Sequence, residues 1–172
     1  MTHDDLVILA YRWLLRHHRC AVAVAEVVTS SSYSPDAIGW RNSWNMVDVL
    51  VVEVKVSRSD YRADASKVAH QTGCIPGKRR WYCTPKGLIL PSELREGWGL
   101  VEVHEHASGD PEKRRLVTKV DAPQVAGHRD EEMRIASSIM RRLADGGTID
   151  QATGRLSTWD ATKKLLEAKR KL

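Results

Sequence analysis

The sequence predicts a mixed α/β fold with one central sheet flanked by helices. Two observations carry this: an amphipathic helical repeat opens the chain, and "MVDVLVVEVKV", Met46 to Val56, is a valine-rich strand pattern. A third is the order of the remaining elements, short apolar runs broken by Gly and Pro turns and then a closing helical stretch.

In the first helix, Leu6, Leu9, Ala10, Trp13 and Leu14 recur at helical spacing between Asp4 and His18, with Thr2 or Asp4 as the cap. "CAVAVAEVV", Cys20 to Val28, is a short apolar run that suits a buried strand. After the loop "TSSSYSP", Asp36 to Trp40 forms a short strand, and "RNSWN" is the turn into Met46 to Val56, where six valines favour extended backbone. Ser57 and Asp60 have capping-box spacing, so a helix is expected from about Arg58 to Gln71. "RRWYCT" is the next strand, "LILPSELREGWG" a connector with a helical turn at Ser92 to Arg95, and "GLVEVHEH" with "KRRLVTKV" a hairpin around "SGDP". A helix from about Asp130 to Leu143 follows. Ser157 and Asp160 repeat the capping spacing before a basic helix carrying Lys163, Lys164, Lys169, Arg170 and Lys171. These boundaries give a domain over 1–145 and a basic helical extension over 146–172.

At 172 residues and 42% hydrophobic content, the chain can bury a core without covalent staples. The formal net charge of +5 suits a polyanionic partner and equally suits simple solubility. Three scattered cysteines argue against a disulfide framework and a zinc ribbon, so a reducing, cytoplasmic setting is expected. The amino terminus has neither the apolar length of a membrane span nor the pattern of a secretory signal.

The chemistry concentrates in the valine-rich strand. Side chains two apart on a strand share a face, so Glu53 and Lys55 stand side by side while Val52, Val54 and Val56 face the other way. Asp48 falls on the opposite face from Glu53. Asp36 is the better partner, because a short strand paired to this one could bring its carboxylate alongside. Two carboxylates supply the hard oxygen ligands that Mg²⁺ takes at about 2.0–2.1 Å, and a neighbouring lysine can orient water or offset charge at a phosphate.

Pro35-Asp36, sixteen intervening residues and then Glu53-Val54-Lys55 resemble the PD-(D/E)XK nuclease superfamily, whose restriction-endonuclease-like core is a central mixed β-sheet flanked by helices. The longer run "PDAIGW", "VVEVKVSRSDYRAD", "RRWYCTPKGLI" and "GWGLVEV" looks like a phage-borne and bacterial subgroup similar to MmcB-like repair-associated proteins. The resemblance spans roughly Asp4 to Val103. It implies Asp36, Glu53 and Lys55 as catalytic residues, with Asp36, Glu53 and Glu26 as ligands of Mg²⁺ or Mn²⁺, and Gln71 as an accessory glutamine. It implies hydrolysis of phosphodiester bonds in DNA, in phage or bacterial DNA repair or processing, inside a bacterial cell or phage-infected host. The variants Asp36→Asn, Glu53→Gln and Lys55→Ala are expected to abolish cleavage and leave the fold intact.

Other features divide between binding and packing. Arg58 and Arg62 share a helical face, to contact phosphates or to pair with Asp60 and Asp64 as a solvated face. Lys78, Arg79 and Arg80 precede Trp81 and Tyr82, a mixture suited to tracking a nucleic-acid backbone, although strand alternation would send one aromatic into the core. Trp40 and Trp44 read as core or rim packing rather than base platforms, and His104 and His106 as surface histidines. The terminal basic helix either steers DNA or is simply a solvated face. Three functions follow: a nuclease acting alone, as a homodimer or with a partner protein; a catalytically silent DNA-binding subunit with the same fold; and an enzyme acting on small nucleotides.

Overall fold

The computed structural model describes residues 1–27, 33–44, 46–64 and 72–157. Helix α1 (His3–Arg16) begins at a reciprocal cap: the Thr2 hydroxyl accepts the Asp5 N–H, and the Asp5 carboxylate accepts the Thr2 N–H. Six strands follow, β1 (Val22–Ala25), β2 (Ala37–Ser43), β3 (Met46–Val54), β4 (Arg79–Pro85), β5 (Gly99–His104) and β6 (Arg115–Val120). Helix α2 (Arg58–Ala63) lies between β3 and β4, and α3 (Arg129–Ala144) comes after β6. The sheet keeps chain order, with β3–β4 and β4–β5 parallel and the outer pairs antiparallel. It is therefore a mixed sheet flanked by helices, as the sequence predicts.

Alternation along β3 divides the core in two. Val52 and Val54 pack with Leu6, Ala10 and Leu14 of α1, whereas Val49 and Val51 pack with Ile135 and Ile139 of α3. The parallel centre is covered on both faces, so Trp81 and Tyr82 are both buried, on opposite sides. The expectation that only one of them enters the core came from reading β4 as a half-exposed strand. Gly99 sits where β5 closes on β4: a Cβ there would lie 2.4 Å from the Trp81 ring and 2.6 Å from the Ala122 nitrogen.

Several boundaries differ from expectation: β1 ends at Ala25, β2 runs on to Ser43 through residues expected as the turn, and α2 spans Arg58–Ala63. Strand β3 stops at Val54, although the Lys55 N–H still donates to the Cys83 carbonyl at 3.0 Å. The chain beyond α3 returns to the sheet, with Ala25 bridging Arg155 in parallel and Ile149 pairing Leu156; both apolar side chains pack on the second core. The segment expected as an extension from 146 thus contacts the rest of the domain as far as Leu156. Gln71 and the basic residues Lys163 to Lys171 lie outside the described residues. Among the described residues, no helix is long and apolar enough to cross a membrane.

Candidate functional site

The carboxyl end of β3 carries the acid and the lysine. Glu53 is 1% exposed and Lys55 2%, with 3.6 Å between Glu53 Oε2 and Lys55 Nζ. Asp36, just before β2, is brought to the same place by the β2–β3 register, in which Ala37 faces Val52. Its Oδ2 accepts the N–H of Val54 at 2.7 Å, so this carboxylate lies on the backbone between Glu53 and Lys55. Asp48 instead pairs with Arg41 at 2.8 Å across the hairpin.

Around Glu53 and Lys55 lies a buried polar cluster. The Tyr33 hydroxyl donates to Glu53 Oε1 at 2.6 Å; burial first, and then the Glu53 charge, push this phenol well above its ordinary range, so it stays a neutral donor. Asp64, the residue after α2, is 0% exposed and places Oδ1 at 2.9 Å from Lys55 Nζ. Its Oδ2 accepts the Tyr82 hydroxyl at 2.9 Å and lies 3.6 Å from an Arg95 nitrogen. Burial first, and the Asp64 charge next, raise the Tyr82 phenol. Two carboxylates and two cations thus meet under the end of the sheet, which is the condition for burying charge at all.

Nearer the surface, the first turn of α1 meets the end of β1. His3 Nε2 lies 3.4 Å from Asp36 Oδ1, and His3 Nδ1 lies 4.0 Å from Glu26 Oε1. Glu26 ends β1 in a left-handed conformation, φ 50°, and its Oε2 accepts Arg155 Nε at 2.5 Å. Ligand atoms of His3, Asp4 and Glu26 all lie within 4.8 Å of one another. The donors of Glu26, Asp36 and Glu53 suit a hard divalent cation, since carboxylate oxygens are its preferred ligands. Coordination by Glu53 would displace Tyr33 or Lys55 from that carboxylate, and coordination by Glu26 would compete with Arg155.

The basic residues scatter rather than form one patch. The Arg80 guanidinium is buried and donates to the carbonyls of Ile75, Pro76, Gly77 and Ala126, so it ties loops together and faces no solvent. Arg79 donates to the Ala122 carbonyl at 2.8 Å, and Lys78 Nζ lies 3.9 Å from Met46 Sδ. Arg58 pairs with Glu93 and donates to the Leu88 carbonyl, while Arg62 is exposed on α2. At the far end of the sheet, Trp40 packs partly into the second core and Trp44 is 99% exposed. His104 contacts Glu102 at 3.0 Å.

A solved structure described as "SPO1766 protein of unknown function from Silicibacter pomeroyi" is similar to this chain, with a TM-score of 0.56 and 22% identity over 83% of this chain and 90% of that one. At that identity the likeness shows the fold alone. No family model and no curated protein matches the chain.

Three site residues escaped the sequence reading. Tyr33 sat in a serine-rich loop, and His3 ahead of a helix that was read for its apolar face. From the sequence, Asp64 is one alternative partner for Arg58 or Arg62 on a solvated face. The signal for Asp64 lay in Ser57: once the helix is capped there, Asp64 falls two turns on, with Asp60 one turn on along the same side.

Proposed function

We propose that the chain is a metal-dependent nuclease hydrolysing phosphodiester bonds in DNA, with Asp36 and Glu53 as ligands of Mg²⁺ or Mn²⁺ and Lys55 as the assisting lysine. One observation carries the reading: Glu53 and Lys55 are paired on one face of the strand, and the Asp36 carboxylate is bound to the peptide between them. Resemblance to the PD-(D/E)XK pattern supports it from the sequence.

Each side chain has a distinct task. Asp36 is fixed on the Val54 N–H through Oδ2, and its Oδ1 lies 3.4 Å from His3 Nε2. Glu53 would give up the Tyr33 hydrogen bond to serve as a ligand of the cation. Lys55 brings a positive charge to the phosphate oxygens, where charge builds as the attacking water adds. A divalent cation bound by the carboxylates would lower the pKa of that water and neutralise phosphate charge. The shielding of Lys55 and Glu53 strengthens their electrostatics once a phosphate is seated.

The same shielding favours a second reading, a DNA-binding subunit without turnover, because a pair only 1–2% exposed does not meet a large substrate unless its cover opens. The test is incubation of wild type and Glu53→Gln with single-stranded, duplex and branched DNA in Mg²⁺, Mn²⁺ or EDTA. Metal-dependent cutting that the variant lacks supports the nuclease. Salt-sensitive binding with no cutting of any substrate supports the accessory subunit.

A further inference from the structure

We propose that Asp64 is the positioning residue of this site: it holds the Lys55 ammonium in its working place, and Tyr82 holds Asp64. The inference rests on the nuclease reading. A lysine head is a compact charge on a flexible stem, so a buried one sits where its acceptors put it. Glu53 Oε2, at 3.6 Å, is beyond hydrogen-bonding distance from Lys55 Nζ, and Asp60 Oδ1, at 3.9 Å, belongs to a half-exposed side chain. Asp64 Oδ1, at 2.9 Å, is within it.

Asp64 is itself held from two sides. Its second oxygen accepts the Tyr82 hydroxyl at 2.9 Å, and Tyr82 is fixed in the core by stacking on Trp98, with centroids 4.3 Å apart, and by an edge contact with Tyr61 at 5.0 Å. From the other direction, α2 is capped by Ser57 and fastened by the Tyr61 hydroxyl, which donates to the Glu93 carbonyl at 2.7 Å. Glu53 has its own anchor in Tyr33. The acid and the lysine, an ion pair at 3.6 Å, are thus each held by a further partner, Tyr33 for Glu53 and Asp64 for Lys55. That arrangement keeps the two heads from closing to hydrogen-bonding distance of each other.

The experiment compares wild type, Asp64→Asn, Asp64→Glu and Tyr82→Phe, each checked for folding by its thermal midpoint, on a DNA that wild type cuts. Asp64→Asn is expected to lower kcat about 10²-fold, the size of loss that a misplacement of about 1 Å produces, with KM and the metal concentration for half activity within about twofold of wild type. Asp64→Glu recovers part of the rate. Should Asp64→Asn fail to fold, Tyr82→Phe decides, with an expected fall of about tenfold in kcat alone. Full activity of the decisive single variant would overturn the positioning role while leaving the nuclease reading standing. A wild type that cuts no DNA in either metal overturns both.

Discussion

Asp36 Oδ2 accepts the N–H of Val54 at 2.7 Å, so one carboxylate both ends the β3 ladder and stands between Glu53 and Lys55. An asparagine at 36 keeps a carbonyl oxygen for that N–H and removes the charge. Asp36→Asn is expected to lose about 1 kcal/mol of stability at most, read as a small shift in urea midpoint at unchanged slope. A loss several times larger would mean that the charge itself holds the strand end together.

Lys55→Ala behaves differently. The sequence expectation was that every site variant leaves the fold intact, but Lys55 is buried between Glu53 and Asp64, and removing it strands two carboxylates. Breaking such a group costs about 3–5 kcal/mol, so the urea midpoint falls steeply and inactivity alone says little about chemistry. A Lys55→Ala protein within about 1 kcal/mol of wild type would show that water reaches the cluster freely.

Arg80 and Lys78 separate structure from binding. Arg80→Ala takes the donor from four carbonyls, three of them buried, and is expected to destabilise by about 3 kcal/mol or more. Lys78→Ala is expected to change stability by no more than about 0.5 kcal/mol; if Lys78 meets a phosphate, the substitution reduces the salt slope of DNA binding by about 1. Denaturation and binding isotherms at several salt concentrations check both. The reverse pattern would place Arg80 at the interface and Lys78 in the fold.

His18 gives the protein a pH-dependent stability. Its ring lies 4.2 Å from Trp13 and 4.7 Å from Trp81, centroid to centroid; burial first, then the charges of His17 and Arg41, lower its pKa from 6.5 to about 4, while Asp121 opposes the shift. The unfolded chain therefore binds the proton more readily. This contribution is full above about pH 6.5 and is lost as pH falls towards 4, amounting to on the order of 2 kcal/mol after allowance for partial solvent contact. Urea midpoints between pH 7.5 and 4 should fall more steeply for wild type than for His18→Gln. Parallel curves would contradict the assignment.

The central strands were legible because valine runs and period-two alternation report local backbone preference, and the Glu53–Lys55 face followed from alternation alone. The ends of those strands were not: the N–H of Val54, the last residue of β3, goes to the Asp36 carboxylate rather than to a neighbouring strand, a contact 18 residues away in sequence. Arg80 looked like part of a basic patch because composition does not reveal which arginine has carbonyls around it. Asp64 and Tyr33 belong to the site through tertiary packing against Lys55 and Glu53, and only the folded chain brings these four together.

An assay of Asp36→Asn beside wild type for cleavage of DNA in Mg²⁺ or Mn²⁺ is the most direct measurement, since this variant removes the charge of a proposed ligand and spares the buried cluster. Loss of metal-dependent cutting in a protein that keeps its thermal midpoint is the expected result. Undiminished cutting by Asp36→Asn would contradict the site assignment at its centre.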